Sequence, residues 1–124
     1  MSMGYARAIL VAEDDPLVRE HIVTLLRGLG HTVYESGNGS EALSVLKARP
    51  DVRLLITDMV MPGGMNGKTL AESAKVINPN LRVLFITGYA NDGIVKEGRL
   101  DEEIHLIMKP FRKAQLEIKV SELL

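Results

Sequence analysis

The chain contains no cysteine. Disulfides, thiolate-ligated zinc and cysteine nucleophiles are therefore excluded. It also lacks an excess of charge of either sign: 15 Lys+Arg against 16 Asp+Glu leave a formal net charge of -1. That balance provides no basic footprint for direct nucleic-acid binding and no polybasic membrane patch. No apolar run is long enough to span a bilayer, so membrane insertion is not expected. The N-terminal MSMGYARA lacks the long apolar core of a signal peptide, which makes a cytoplasmic location the default expectation. Repeats, linkers and low-complexity stretches are absent too. A length of 124 residues suits a single domain, 1-124, around one hydrophobic core.

What is present is a series of short apolar runs: AILVA (Ala8 to Ala12), TVYE (Thr32 to Glu35), LLIT (Leu54 to Thr57), VLFIT (Val83 to Thr87) and HLIM (His105 to Met108). Most are near-continuous rather than alternating, as strands read when helices cover both faces of a sheet. The segments between them carry helical spacing. Val18, Ile22, Leu25 and Leu29 share a face, with Asp15-Pro16 as N-cap and first-turn proline and Gly30 as a stop. Asn38 and Glu41 have the spacing of a capping box, opening a helix through Leu43 and Leu46 that Pro50 ends. Leu70, Ala74 and Ile77 carry a third helix, which stops at Asn78-Pro79. The connection Ala90 to Glu103 is weaker and predicts a short helix. Leu116, Val120 and Leu123 form the last stripe, on a helix from Arg112. The alternation is (βα)5, an α/β doubly wound parallel sheet.

Ligands of open parallel sheets bind outside the carboxyl ends of the strands. The residues at those ends are Glu13-Asp14-Asp15 after the first strand, Asp58 at the third, Thr87-Gly88 at the fourth and Lys109-Pro110 after the fifth. Carboxylates brought together repel unless a cation neutralises them. Oxygen donors without histidine or thiolate favour a hard ion, foremost Mg²⁺. A carboxylate nucleophile beside Mg²⁺, an ammonium and a hydroxyl makes a phosphoryl-accepting site. Taken singly, each residue has a plainer reading: Asp15 caps a helix, Asp58 turns the chain, Thr87 ends a strand and Lys109 meets water. Their convergence on one sheet edge reverses those readings. The three histidines, His21, His31 and His105, have no partner at metal-ligand spacing.

With VAEDD, LLITDMVMP, FITGYA and IMKPF in this order, nearly the whole chain resembles the response-regulator receiver domains of two-component signalling, and the loop VMPGGMNG and the GYA after Thr87 resemble receivers attached to hybrid sensor kinases. The resemblance implies the flavodoxin-like strand order 2-1-3-4-5. It implies Asp58 as phosphoacceptor and Asp14 and Asp15 as the acidic metal pair. The backbone carbonyl of Met59 would be a further metal ligand, Thr87 the switch hydroxyl and Lys109 the phosphoryl-pairing lysine. It implies a Lys109-Pro110 bond that is commonly cis, Mg²⁺ as cofactor, and a histidine kinase or histidine phosphotransfer protein as phosphodonor. The chain would then be a signalling domain that assists its own phosphorylation and dephosphorylation rather than an enzyme.

Two departures from the family pattern stand out: Leu106, and the loop VMPGGMNG after Asp58, where Gly63-Gly64 gives extra freedom. Leu106 occupies the place, three before the lysine, where many receivers carry an aromatic residue; Tyr89, two after Thr87, is an available aromatic. Val60, two after Asp58, offers no polar group. Val60 also argues against the main alternative, a metal-dependent phosphohydrolase of related fold, which usually carries a general-acid aspartate there. Intact Asp58, Thr87 and Lys109 argue against the other alternative, a phosphate-independent pseudo-receiver.

Overall fold

A computed structural model describes residues 7–61, 65–88 and 105–124. Five strands, β1 (Ala8–Ala12), β2 (Val33–Ser36), β3 (Val52–Asp58), β4 (Arg82–Thr87) and β5 (His105–Met108), form one sheet in the order β2-β1-β3-β4-β5. Every neighbouring pair is parallel. The helices among the described residues are α1 (Pro16–Gly28), α2 (Gly39–Ala48), α3 (Gly67–Ile77) and α4 (Lys113–Leu123). The expected helix at 90–103 lies outside the described residues.

Continuous apolar strands bury both faces, and each face has its own helices. Leu10, Leu55, Val83 and Phe85 meet Ala42 and Leu46 of α2 and Leu70 and Ala74 of α3. Ile9, Leu54, Ile56, Leu84 and Ile86 meet Ile22 and Leu26 of α1 and Leu116 and Val120 of α4. Successive strand side chains point to opposite faces, which divides each run between the two layers. Every residue of β1 is fully buried, and a side chain such as Ile9 or Leu10 contributes about 1.5–3 kcal/mol by leaving water.

Local signals place the helix ends. Asp15 Oδ1 accepts the Leu17 and Val18 amides at 2.9 and 3.3 Å, with Pro16 opening α1. At the other end Gly30 adopts φ +96°, which glycine tolerates best. Asn38 Oδ1 accepts the Glu41 amide at 2.8 Å, but Glu41 reaches back to the Gly37 amide at 2.9 Å, one residue before the cap. Asn66, not singled out from the sequence, caps α3 by accepting the Thr69 amide at 2.8 Å. Arg112 is the N-cap of α4, so that helix begins one residue later than the spacing suggested.

Candidate functional site

Parallel pairing brings the carboxyl ends of the inner strands level. Asp58 stands opposite Ile86 and Thr87 opposite Met108. The ladder runs on beyond the strands: Met59 donates to the Ile86 carbonyl at 3.1 Å and Lys109 to that of Thr87 at 2.8 Å. Lys109 thereby projects over Asp58, and its Nζ lies 3.1 Å from Asp58 Oδ2 and 3.3 Å from Glu13 Oε1. Burial lowers the Lys109 pKa, but the hydrogen bond and charge of Asp58, together with Glu13, outweigh it, so the net shift is upward. Its ammonium is held charged. The Lys109–Pro110 bond is cis.

Glu13, Asp14 and Asp58 each offer a carboxylate oxygen, all within 4.8 Å of one another. Burial pushes the Glu13 pKa up; the Asp15 amide at 3.1 Å opposes this, Asp58 and Asp14 reinforce it, and Lys109 opposes it. Carboxylates in this relation could hold a cation. Thr87, almost wholly buried, lines the same cleft as Asp58 and Lys109.

Two of the groups expected as metal ligands make other contacts in the structure. Asp15 was expected beside Asp14 as the second metal acid. Asp15 Oδ1 caps α1, and the residue still lines the cleft, while the carboxylate oxygens that lie within 4.8 Å of one another belong to Glu13, Asp14 and Asp58. The capping role of Asp15 is legible in the chain, since an aspartate before proline is a ready helix cap. The backbone carbonyl of Met59 was expected to face a metal. It accepts the Gly67 amide at 3.0 Å and its side chain is buried. The residue of this loop that lines the cleft is Val60, which is 63% exposed and donates its amide to Asp58 Oδ1 at 3.2 Å. Leu106 is half-buried and packs with the layer containing Phe85. Tyr89 lies outside the described residues.

The family model of the response regulator receiver domain matches residues 9–121. The chain is 35% identical over 118 residues to the response regulator receiver protein CpdR of Brucella abortus (strain 2308), covering 95% of this chain and 97% of that protein. It is 33% identical over 117 residues to the sensor kinase CckA of the same organism, 94% of this chain but only 12% of that much longer protein. A solved response regulator receiver protein from Sinorhizobium medicae WSM419 superposes with a TM-score of 0.84 at 28% identity, covering 98% of this chain and 96% of that one. The chain belongs to the response regulator receiver domain family, and it is a receiver domain of two-component signalling.

Proposed function

We propose that this domain accepts a phosphoryl group on Asp58 from the phosphohistidine of a histidine kinase or histidine phosphotransfer protein. The observation that carries this reading is the Lys109 ammonium held between Asp58 and Glu13 at the strand ends, with Asp14 completing an all-oxygen trio. In the transfer, an Asp58 carboxylate oxygen forms a bond to phosphorus as the nitrogen–phosphorus bond of the donor breaks. The bonding pair returns to the imidazole nitrogen, which then takes up a proton. Lys109 faces the charge that develops on the phosphoryl oxygens, and Thr87 offers its hydroxyl from the neighbouring strand end. Positioning and charge neutralisation of this kind account for most phosphoryl-transfer catalysis.

The donor set fits Mg²⁺, since it consists of hard carboxylate oxygens and leaves room for water. Glu13, Asp14 and Asp58 would hold the ion, and Val60 lines the same cleft. Mg²⁺ in this place supplies the positive charge that lets an anionic donor approach three carboxylates. Switching follows if the phosphorylated Asp58 draws Thr87 and Lys109 into new contacts.

The test is incubation with a small phosphodonor and Mg²⁺, read by intact mass. A single phosphoryl increment that disappears in Asp58→Asn supports the reading. Repeated turnover of the donor points to a phosphohydrolase. Equal labelling of native and Asp58→Asn protein overturns Asp58 as acceptor.

A further inference from the structure

The acidic loop is braced from behind by an arginine that belongs to neither the acidic trio nor the cleft. Arg19 sits in α1, its amide bonded to the Asp15 carbonyl at 2.9 Å. Its guanidinium makes two contacts. Nη1 donates to the backbone carbonyl of Glu13 at 2.7 Å, and Nε lies 3.4 Å from Glu35 Oε1 on the edge strand β2. Glu35 is in turn gripped from its other oxygen by Arg27 Nη2 at 3.7 Å, and Arg27 also donates to the Val33 carbonyl at 2.9 Å. Gly37 leaves space beside this arrangement: a Cβ there would stand 3.3 Å from Arg19 Nη1.

We propose that Arg19 is a positioning residue for the acidic site, locking the Glu13–Asp14 peptide so that Glu13, Asp14 and Asp58 can share one cation. A peptide unit is planar, so fixing the Glu13 carbonyl oxygen also fixes the amide and the Cα of Asp14. The units on either side have their own ties. The Glu13 amide donates to the Ser36 carbonyl at 3.1 Å, and the Asp15 amide donates to Glu13 Oε2 at 3.1 Å. Arg19 holds the peptide between them. The planar guanidinium can serve the carbonyl and Glu35 together, whereas a lysine ammonium in its place serves one well and the other poorly. Residues that orient metal ligands without touching the metal commonly change affinity by about 10–100-fold when replaced. The inference rests on the proposal that the trio holds Mg²⁺.

The experiment is an Mg²⁺ titration followed by amide chemical shifts on native protein and on Arg19→Gln, Arg19→Lys, Glu35→Gln, Arg27→Gln and the Arg19→Gln/Glu35→Gln double variant. Arg19→Gln is expected to weaken Mg²⁺ about tenfold, and Arg19→Lys to recover part of that loss. Glu35→Gln should weaken it less, and adding it to Arg19→Gln should do nothing more, because Glu35 acts through Arg19. Arg27→Gln breaks an ion pair to the same carboxylate without reaching Glu13, so its affinity should match native protein. If Arg19→Gln does not fold, Arg19→Lys and Glu35→Gln carry the comparison. Native-like affinity in the Arg19 variants overturns the inference, as does an equal loss in Arg27→Gln. Native protein that fails to bind Mg²⁺ overturns the metal reading itself, and this inference with it.

Discussion

Gly67, the first residue of α3, packs so closely on Asp58 that a Cβ there would overlap the Asp58 carbonyl oxygen and come within 3.0 Å of the Met59 Cα. The same residue donates its amide to the Met59 carbonyl. The start of α3 thus rests on the backbone of the proposed acceptor, and backbone cannot swing aside as a flexible side chain can. Gly67→Ala should destabilise the domain by about 1–3 kcal/mol, the usual cost of forcing atoms into a packed site. Thermal melts check the stability loss, and labelling of the variant by a phosphodonor in the cold should also fall. Native stability in Gly67→Ala would show that the loop gives way without cost.

The acidic residues make separable predictions. Glu13→Gln and Asp14→Asn should each weaken Mg²⁺ about tenfold, or about 1.4 kcal/mol. Asp15→Asn should leave Mg²⁺ affinity near native, since asparagine caps a helix as well as aspartate does. Calorimetric or NMR titration decides. Loss of affinity in Asp15→Asn with none in Glu13→Gln would restore the sequence expectation.

Glu13 also leaves a signature in stability without metal. Its native pKa is raised above the ordinary 4.5, chiefly by burial. Between 4.5 and the native value the folded state holds the proton more tightly than the unfolded chain. Stability from this group therefore falls as pH rises through that window. In the absence of Mg²⁺, Glu13→Gln should melt above native protein at neutral pH, and the difference should shrink toward pH 4. A variant that melts lower than native at neutral pH would indicate that the Lys109 pair outweighs burial.

At the opposite end of the sheet, His105 opens β5 with its pKa lowered below 6.5, first by burial and then by Lys119, Arg82 and Lys75, with Glu122 opposing. The unfolded chain takes up this proton before the folded one does. Stability should fall as pH drops from above 6.5 toward the native value. Melting temperatures of native protein and His105→Gln across pH 7.5 to 5 test this, with the flatter profile expected in the variant. Parallel profiles would assign the acid sensitivity to other groups.

If Asp58 is the acceptor, Val60 is expected to affect the lifetime of its phosphorylated form. It is exposed at the cleft, with its amide on Asp58 and no side-chain polar group to orient an attacking water. Val60→Asn should speed decay of phosphorylated Asp58, followed by loss of label after donor removal. Unchanged decay would remove Val60 from the account. Tyr89→Ala, tested alongside, asks whether that aromatic shields the same bond, with faster decay expected in the variant.

Much of this protein was legible in its residues one neighbourhood at a time. Continuous runs such as AILVA and VLFIT read as strands covered on both faces, and Asp15-Pro16 and Asn38 announce helix starts, because burial patterns and capping act over a few residues. Asp58, Thr87 and Lys109 were identifiable as strand-end residues for the same reason. Tertiary structure decided which of them meet. Lys109 reaches Glu13 across 96 positions of sequence, because β1, β3 and β5 are parallel strands of one sheet whose carboxyl ends share an edge, with Asp58 between the two. Apolar strands of equal hydrophobicity do not specify their neighbours by composition. The structure also decided that Asp15 caps the helix, that Glu13 and Asp14 bring a carboxylate oxygen within 4.8 Å of one from Asp58, and that the Met59 carbonyl accepts from Gly67. Each side chain or carbonyl goes to the partner that folding brings within hydrogen-bonding distance, and in a run of consecutive carboxylates a one-residue shift changes which group is left to meet a cation.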